Sequence, residues 1–317
     1  MAAFKPVSFL GCVFMQTALN ANQADPTDQA TTDFSGLWIP LVTPFDQGQV
    51  DHAALKRLVA HYRASGIAGL VVCGSTGEAA ALDEEEQLKV LRTVMDQAPG
   101  LPVVMGLSGY HLGKMAARIK ALNALGLAGI LLPAPSYIRP SQAGLIEWFT
   151  ALADVSAVPV ILYDIPYRTG SLMALETILA LADHPRILAL KDCGGDPAKT
   201  QALIADGRLQ VLAGEDANIF STVAQGGRGA IAAAAHLHTE RFVEVLRRIR
   251  AGDLAGAEAL WTPLQPLIEG LFAEPNPGPL KALLARQGLL RNELRSPMTA
   301  ASAALAERLQ RLDAVVS

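Results

Sequence analysis

One feature narrows the possible folds more than any other: eight short apolar runs, each followed by an amphipathic stretch. From Gly36 onward the runs are Leu37–Pro44, Gly69–Gly74, Leu101–Leu107, Gly129–Pro135, Pro159–Ile165, Ile187–Asp192, Leu209–Asp216 and Gly229–Ala235. Most are rich in Val, Ile or Leu and lack polar alternation, which is how parallel strands buried on both faces read. The last run is mostly alanine and carries the weakest strand signal. Between the runs lie helix starts. Asp51 precedes Ala54, Leu55, Leu58, Val59 and Tyr62 at helical spacing, and Asp83 is followed by Glu84, Glu85 and Glu86, an acidic first turn suited to the helix dipole. Ser141 opens a segment with Leu145, Ile146, Phe149 and Leu152, and Asp196-Pro197 is an N-cap followed by proline at the first helical position.

Eight consecutive β-α units in about 220 residues predict an α/β chain folded as a (β/α)8 TIM barrel. An open doubly wound sheet would need a glycine fingerprint after the first strand, and Thr43-Pro44-Phe45-Asp46 is not one. Beyond Gly252, Asp253 to Leu271 and Leu280 to Val315 read as additional C-terminal helices. The expected organisation is a flexible N-terminal extension over 1–33, a catalytic barrel over 34–252 and a helical region over 253–317. The extension has a signal-peptide outline, but Ser8, Gly11 and Gln16 interrupt its apolar patch and no clean A-x-A site follows. A flexible extension, or a start codon placed upstream of the true one, is the expectation.

Composition excludes several function classes. Hydrophobic residues make up 51% of the 317 and charged residues 18%, against roughly 25% charged in an average soluble chain. Twenty-six basic and thirty acidic residues give a net charge of −4 with no basic block, so no nucleic-acid partner is expected. No apolar run approaches the ~20 residues that span a bilayer, so no membrane partner is expected. Cys12, Cys73 and Cys193 are odd in number and widely spaced, which suits small buried thiols in a reducing, cytoplasmic compartment. His236 and His238 form an H-x-H without an acidic or cysteine companion nearby, and read as a loop or helix-start pair rather than a metal site.

A barrel enzyme builds its site at the C-terminal ends of its strands. There stand Gly74-Ser75-Thr76-Gly77-Glu78 after the second run, Tyr137 after the fourth, Tyr163 and then Arg168 after the fifth, and Lys191 at the end of the sixth. Lys191 alone among the lysines ends a run that passes through the barrel interior. Burying an ammonium is costly, and the usual relief is a depressed pKa that leaves a neutral amine able to form a Schiff base. A lysine paired with a glutamate, or snorkelling to the rim, is the competing reading. Tyr163, Tyr137 and Ser75 could pass protons to and from a carbinolamine. Thr76 and its neighbours offer N–H groups for a carboxylate, and Arg168 offers a planar fork for a second. Gly226-Gly227-Arg228-Gly229 precedes its strand and reads as a turn on the opposite face.

With these motifs assembled, the chain from about Phe34 onward resembles the dihydrodipicolinate synthase / N-acetylneuraminate lyase family of class I, pyruvate-dependent aldolases. Gly74-Ser75-Thr76-Gly77-Glu78 is similar to the family's Gly-Thr-Thr-Gly-Glu, and Tyr163-Asp164-Ile165-Pro166-Tyr167-Arg168-Thr169 to its Tyr-Asn-x-Pro-x-Arg-Thr. Tyr137 with Arg139-Pro140-Ser141-Gln142, Arg168-Thr169-Gly170 and Glu274-Pro275-Asn276-Pro277 resemble the dihydrodipicolinate synthase branch. The resemblance implies that Lys191 forms the Schiff base with pyruvate and that the enamine attacks L-aspartate 4-semialdehyde, giving 4-hydroxy-tetrahydrodipicolinate in lysine and diaminopimelate biosynthesis. It implies that Tyr163, Ser75 and Tyr137 form a proton relay, with Tyr137 supplied by the adjacent subunit. It further implies that Thr76 with Gly74 and their amides hold the pyruvate carboxylate, that Arg168 holds the semialdehyde carboxylate, and that Gly214 and Ile231 line the pocket. A homotetramer built from tight dimers is implied, with no metal and no organic cofactor.

The chain departs from the family pattern at Ser75, where threonine is usual, at Ser136 in place of the first of two tyrosines, and at Asp164 in place of asparagine. Glu84 and Gln87 stand where lysine-inhibited members often carry histidines, which leaves lysine inhibition open. Two alternatives remain from the sequence. One is another pyruvate-dependent aldolase acting on 4-hydroxy-2-oxoglutarate, a keto-deoxy sugar acid or a sialic acid; the other is a catalytically silent keto-acid-binding paralogue.

Overall fold

A computed structural model describes Met1 and residues 32–316. The expected N-terminal extension, with Cys12, lies almost wholly outside the described residues. Eight strands form the barrel: β1 (Gly36–Pro40), β2 (Gly69–Val72), β3 (Val103–Gly106), β4 (Gly129–Pro133), β5 (Val160–Asp164), β6 (Ile187–Asp192), β7 (Gln210–Ala213) and β8 (Gly229–Ile231). Each pairs in parallel with its sequence neighbours, and β8 pairs with β1 to close the sheet. A short antiparallel ribbon, Phe45–Asp46 with Gln49–Val50, follows β1 and was not visible as a pattern in the sequence.

The runs mark the strands but overshoot most of their C-terminal ends. Ala232, Ala233, Ala234 and Ala235 are buried, yet they form a bend and a short 3-10 turn, not strand. They are apolar because the mouth of the barrel covers them, and burial without a ladder partner looks the same as a strand in sequence.

Capping residues start the helices where the sequence places them. Asp51 accepts from the amide of Ala54, Ser141 from Gly144, and Asp196 from Ala198 and Lys199. Asp83 forms a reciprocal capping box with Glu86. Beyond the barrel lie helices Leu254–Trp261, Gln265–Leu271, Gly278–Arg286 and Ala303–Val316, and residues from Thr32 onward pack as one compact unit with them.

The core has two layers. Strand faces turned outward pack on the helices in one large apolar cluster, while Phe34, Trp38, Val71, Val104, Leu131, Ile161, Ala189 and Leu212 fill the barrel interior. Trp38 donates its indole N–H to the carbonyl of Phe34, and the two rings lie 5.6 Å apart, tilted by 49° to each other, at the N-terminal end. Gly69 makes room for this plug, since a Cβ there would overlap the Trp38 ring. Arg228 lies in the turn leading into β8, between Gly226 and Gly229, both with positive φ, which agrees with reading that glycine-rich stretch as a turn.

Candidate active site

Strand periodicity decides which side chains face inward. On β6, Ala189, Lys191 and Cys193 share a face, and on β5 so do Ile161, Tyr163 and Ile165; all but Lys191 belong to the apolar cluster inside the barrel. Tyr163 and Lys191 are register partners, so the phenol and the amine stand side by side above the filled interior. The Nζ of Lys191 lies 4.4 Å from the centroid of the Tyr163 ring. Lys191 is only 6% exposed, and among the described residues no carboxylate lies within ion-pair distance of it. Neither the paired nor the snorkelling alternative for Lys191 describes this geometry.

Burial is the main cause that lowers the pKa of Lys191; Cys193, Asp216 and Glu215 oppose it, and Arg168 adds to it. Burial also pushes the Tyr163 phenol well above its ordinary value, with the Ser75 side chain pulling the other way. Burial thus shifts the amine toward its uncharged, nucleophilic form and the phenol toward its protonated form, which is the pairing that imine formation requires.

Above the amine opens a cavity of about 330 Å³. Of the residues expected from sequence, it brings together Lys191, Tyr163, Ser75, Thr76, Arg168, Gly214 and Ile231. Gly74 sits behind the wall, where its carbonyl accepts from the amides of Gly77 and Ala79 and shapes the turn that carries Ser75 and Thr76. Gly214 must lack a side chain: a Cβ there would overlap the Cys193 sulfur and come within 2.9 Å of Lys191 Cγ. Tyr137 is not in this cavity. It stands on the loop after β4 with φ 75°, 90% exposed on the single chain.

The cavity also contains residues that strand-end reasoning did not single out. Tyr167 and Asp216 contribute to it, as does the segment Phe272–Asn276 from beyond the barrel. Asp216 is buried, accepts from the amide of Ala234, and has its carboxyl raised to about 7, chiefly by desolvation. Its position at the end of the seventh apolar run was the available signal. Asn276 donates to the Thr76 hydroxyl at 3.0 Å across 200 residues of sequence, a contact with no local signature.

The two histidines of the H-x-H are accounted for differently. His236 is buried, with Nδ1 against the carbonyl of Ala233 and Nε2 against the amide of Val42, which fits a neutral ring with its proton on Nδ1. His238 pairs with Asp313. Cys73 and Cys193 are buried free thiols.

A closed parallel barrel with a buried amine and a protonated phenol at its C-terminal mouth defines a lyase of the Schiff-base aldolase type. The chain belongs to the Dihydrodipicolinate synthetase family, whose sequence profile matches residues 33–314. It is 38% identical over 280 residues to 4-hydroxy-tetrahydrodipicolinate synthase 2 of Clostridium acetobutylicum, covering 87% of this chain and 98% of that protein. Among solved structures it is similar to a monomeric dihydrodipicolinate synthase variant, at TM-score 0.87 and 28% identity over 89% of this chain and 97% of the other. It is also similar to the Acinetobacter baumannii dihydrodipicolinate synthase complexed with pyruvate, at TM-score 0.86 and 31% identity over 89% and 98% of the two chains.

Proposed function

We propose that this chain condenses pyruvate with L-aspartate 4-semialdehyde to form 4-hydroxy-tetrahydrodipicolinate, a step of lysine and diaminopimelate biosynthesis. The observation that carries the proposal is Lys191, buried at the barrel mouth with no carboxylate at ion-pair distance among the described residues and with Tyr163 beside it. The family membership and the pyruvate held by the similar A. baumannii enzyme support it.

In this reading the neutral amine of Lys191 adds to the carbonyl carbon of pyruvate. Tyr163 gives a proton to the carbinolamine oxygen, water leaves, and an imine forms. Loss of a proton from the methyl carbon gives an enamine, which attacks the aldehyde carbon of the semialdehyde. The amino group of the acceptor then displaces Lys191 from the former carbonyl carbon, closing the ring and returning the free amine. Ser75 connects Tyr163 to the outside of the pocket. Tyr137 completes the relay from a neighbouring subunit, a placement that its exposure on the isolated chain allows. Thr76 and its neighbouring amides hold the pyruvate carboxylate, deep in the cavity. Arg168, exposed near the entrance, holds the carboxylate of the semialdehyde. The assembly this requires is at least a dimer, and a homotetramer in the cytoplasm is the full proposal.

The test combines a substrate panel with borohydride trapping. Pyruvate and the semialdehyde together should turn over, and reduction in the presence of pyruvate should add its reduced mass to a peptide containing Lys191. Pyruvate release from 4-hydroxy-2-oxoglutarate or a sugar keto acid, with no turnover of the semialdehyde, would move the chain to a different aldolase. Trapping at any other lysine would reject the mechanism.

A further inference from the structure

The turn that carries Thr76 is gripped from outside the barrel at two points. Within the turn, the amides of Gly77 and Glu78 donate to the carbonyls of Gly74 and Ser75 at 3.1 Å, and the Thr43 hydroxyl donates to the Gly77 carbonyl at 2.7 Å. The first outside grip is the Asn276 amide on the Thr76 hydroxyl oxygen. The second is the Lys281 ammonium on the carboxylate of Glu78, both residues buried. Lys281 also donates to the carbonyl of Glu293 at 2.9 Å, and the other Glu78 oxygen accepts the Arg295 amide at 3.2 Å. Residues 276 and 281 are thereby fixed against residues 76 and 78, so the Asn276–Thr76 contact is held by an anchor that does not depend on substrate.

A threonine hydroxyl has one proton and can turn it toward whichever acceptor is nearest. When its oxygen accepts from an amide N–H, that direction is closed to its own proton, which must point elsewhere. Thr76 lines the cavity, and the open direction is the cavity. We infer that Asn276 is a positioning residue that fixes the Thr76 hydroxyl as a donor toward the carboxylate of the bound 2-oxo acid. This inference rests on the proposed function only in placing a carboxylate at Thr76. Asn276 acts through the hydroxyl: it sets which way the proton points before substrate arrives, so no reorientation accompanies binding.

Polarity separates this role from a structural one. Asn276→Asp keeps shape and volume but replaces the donor with an acceptor. The aspartate would draw the Thr76 proton away from the cavity and place a second negative charge near the substrate carboxylate. Pyruvate affinity is read from the concentration dependence of borohydride trapping, together with kcat and KM. Asn276→Ala should weaken pyruvate about fivefold, the loss of one hydrogen-bond contribution. Asn276→Asp should weaken it about a hundredfold, because like charges are brought together. Turnover at saturating pyruvate should change far less than KM in both.

In a Thr76→Val background, Asn276→Ala should cost nothing further, because the hydroxyl it orients is gone. Each variant's thermal transition is recorded alongside. A structural role predicts the reverse order, with the isosteric Asn276→Asp milder than Asn276→Ala, and additive losses with Thr76→Val; either result overturns the inference. The site of trapping in the unmodified protein reports on Lys191 chemistry alone, so the two readings can fail separately.

Discussion

At the scale of a single residue, the pocket depends on keeping one amine uncharged. The Lys191 pKa is lowered by burial above all, and only the deprotonated form attacks a carbonyl. As pH falls through that lowered value the amine gains its proton and trapping slows, so the alkaline plateau should extend below the ordinary lysine range. Borohydride trapping rates across pH would check this; a plateau reached only at the pH of an ordinary lysine would mean the amine is not desolvated in solution. Lys191 and Tyr163 were legible from sequence because alternation along a strand, and position at its end, dictate where such side chains point, whereas Arg168, in the short helix Pro166–Thr169 beyond β5, was legible through the motif that contains it. Asn276 was legible as part of the Glu274-Pro275-Asn276-Pro277 motif, but its contact was not, since it meets Thr76 only after the chain has passed through the whole barrel. Tyr137 was legible as a motif, but its place on a single chain is outside the cavity.

At the scale of elements, the C-terminal helices form a wall of the site as well as packing on the barrel. Helix Gly278–Arg286 carries Lys281, whose ammonium meets Glu78 and lies 4.3 Å from the centre of the Phe45 ring. Arg295 stacks on the same ring at 4.7 Å and forms a fork on Glu86. Removing one partner of a buried ion pair leaves the other charge uncompensated, at a cost of about 3–5 kcal/mol. Lys281→Met should therefore destabilise the protein by that order, and Glu78→Gln with Lys281→Met should recover much of the loss. Urea unfolding midpoints of the single and double variants measure this; equal losses in the two would mean that lost packing, not an orphaned charge, sets the cost. Four of the barrel helices were readable because Asp51, Asp83, Ser141 and Asp196 are capping residues whose partners lie within three positions. The short ribbon at Phe45–Val50 was unreadable, since two residues per strand carry no periodicity and Glu293, far along the chain, caps its turn.

For the whole molecule, two buried groups near one turn act on pH stability in opposite senses. Asp216 is raised to about 7 in the folded protein from an ordinary 3.8, so the native state holds its proton more tightly. Its contribution is fully present below 3.8 and is lost as pH rises through about 7. His236 is lowered to about 4 from 6.5 by burial, so its contribution is present above 6.5 and is lost as pH falls through about 4. Between pH 7 and 4.5 acidification therefore strengthens one and weakens the other. Asp216→Asn keeps an oxygen for the Ala234 amide but removes the first effect, so its melting temperature should drop more steeply than that of the unmodified protein over this interval. Thermal melts at the two pH values decide it; parallel drops would show that Asp216 does not titrate there.

The plug of Phe34 and Trp38 at the far end of the barrel has a consequence for traffic. With the interior filled beneath Lys191, the chamber is a cul-de-sac, and whatever reaches the amine arrives by the same door through which it must leave. In the proposed condensation the first molecule in sits at the bottom and the second stands over it. The queue is therefore set by architecture: the partner that bonds to nitrogen comes first, its acceptor follows, and the joined product has to clear the doorway before the next round can begin.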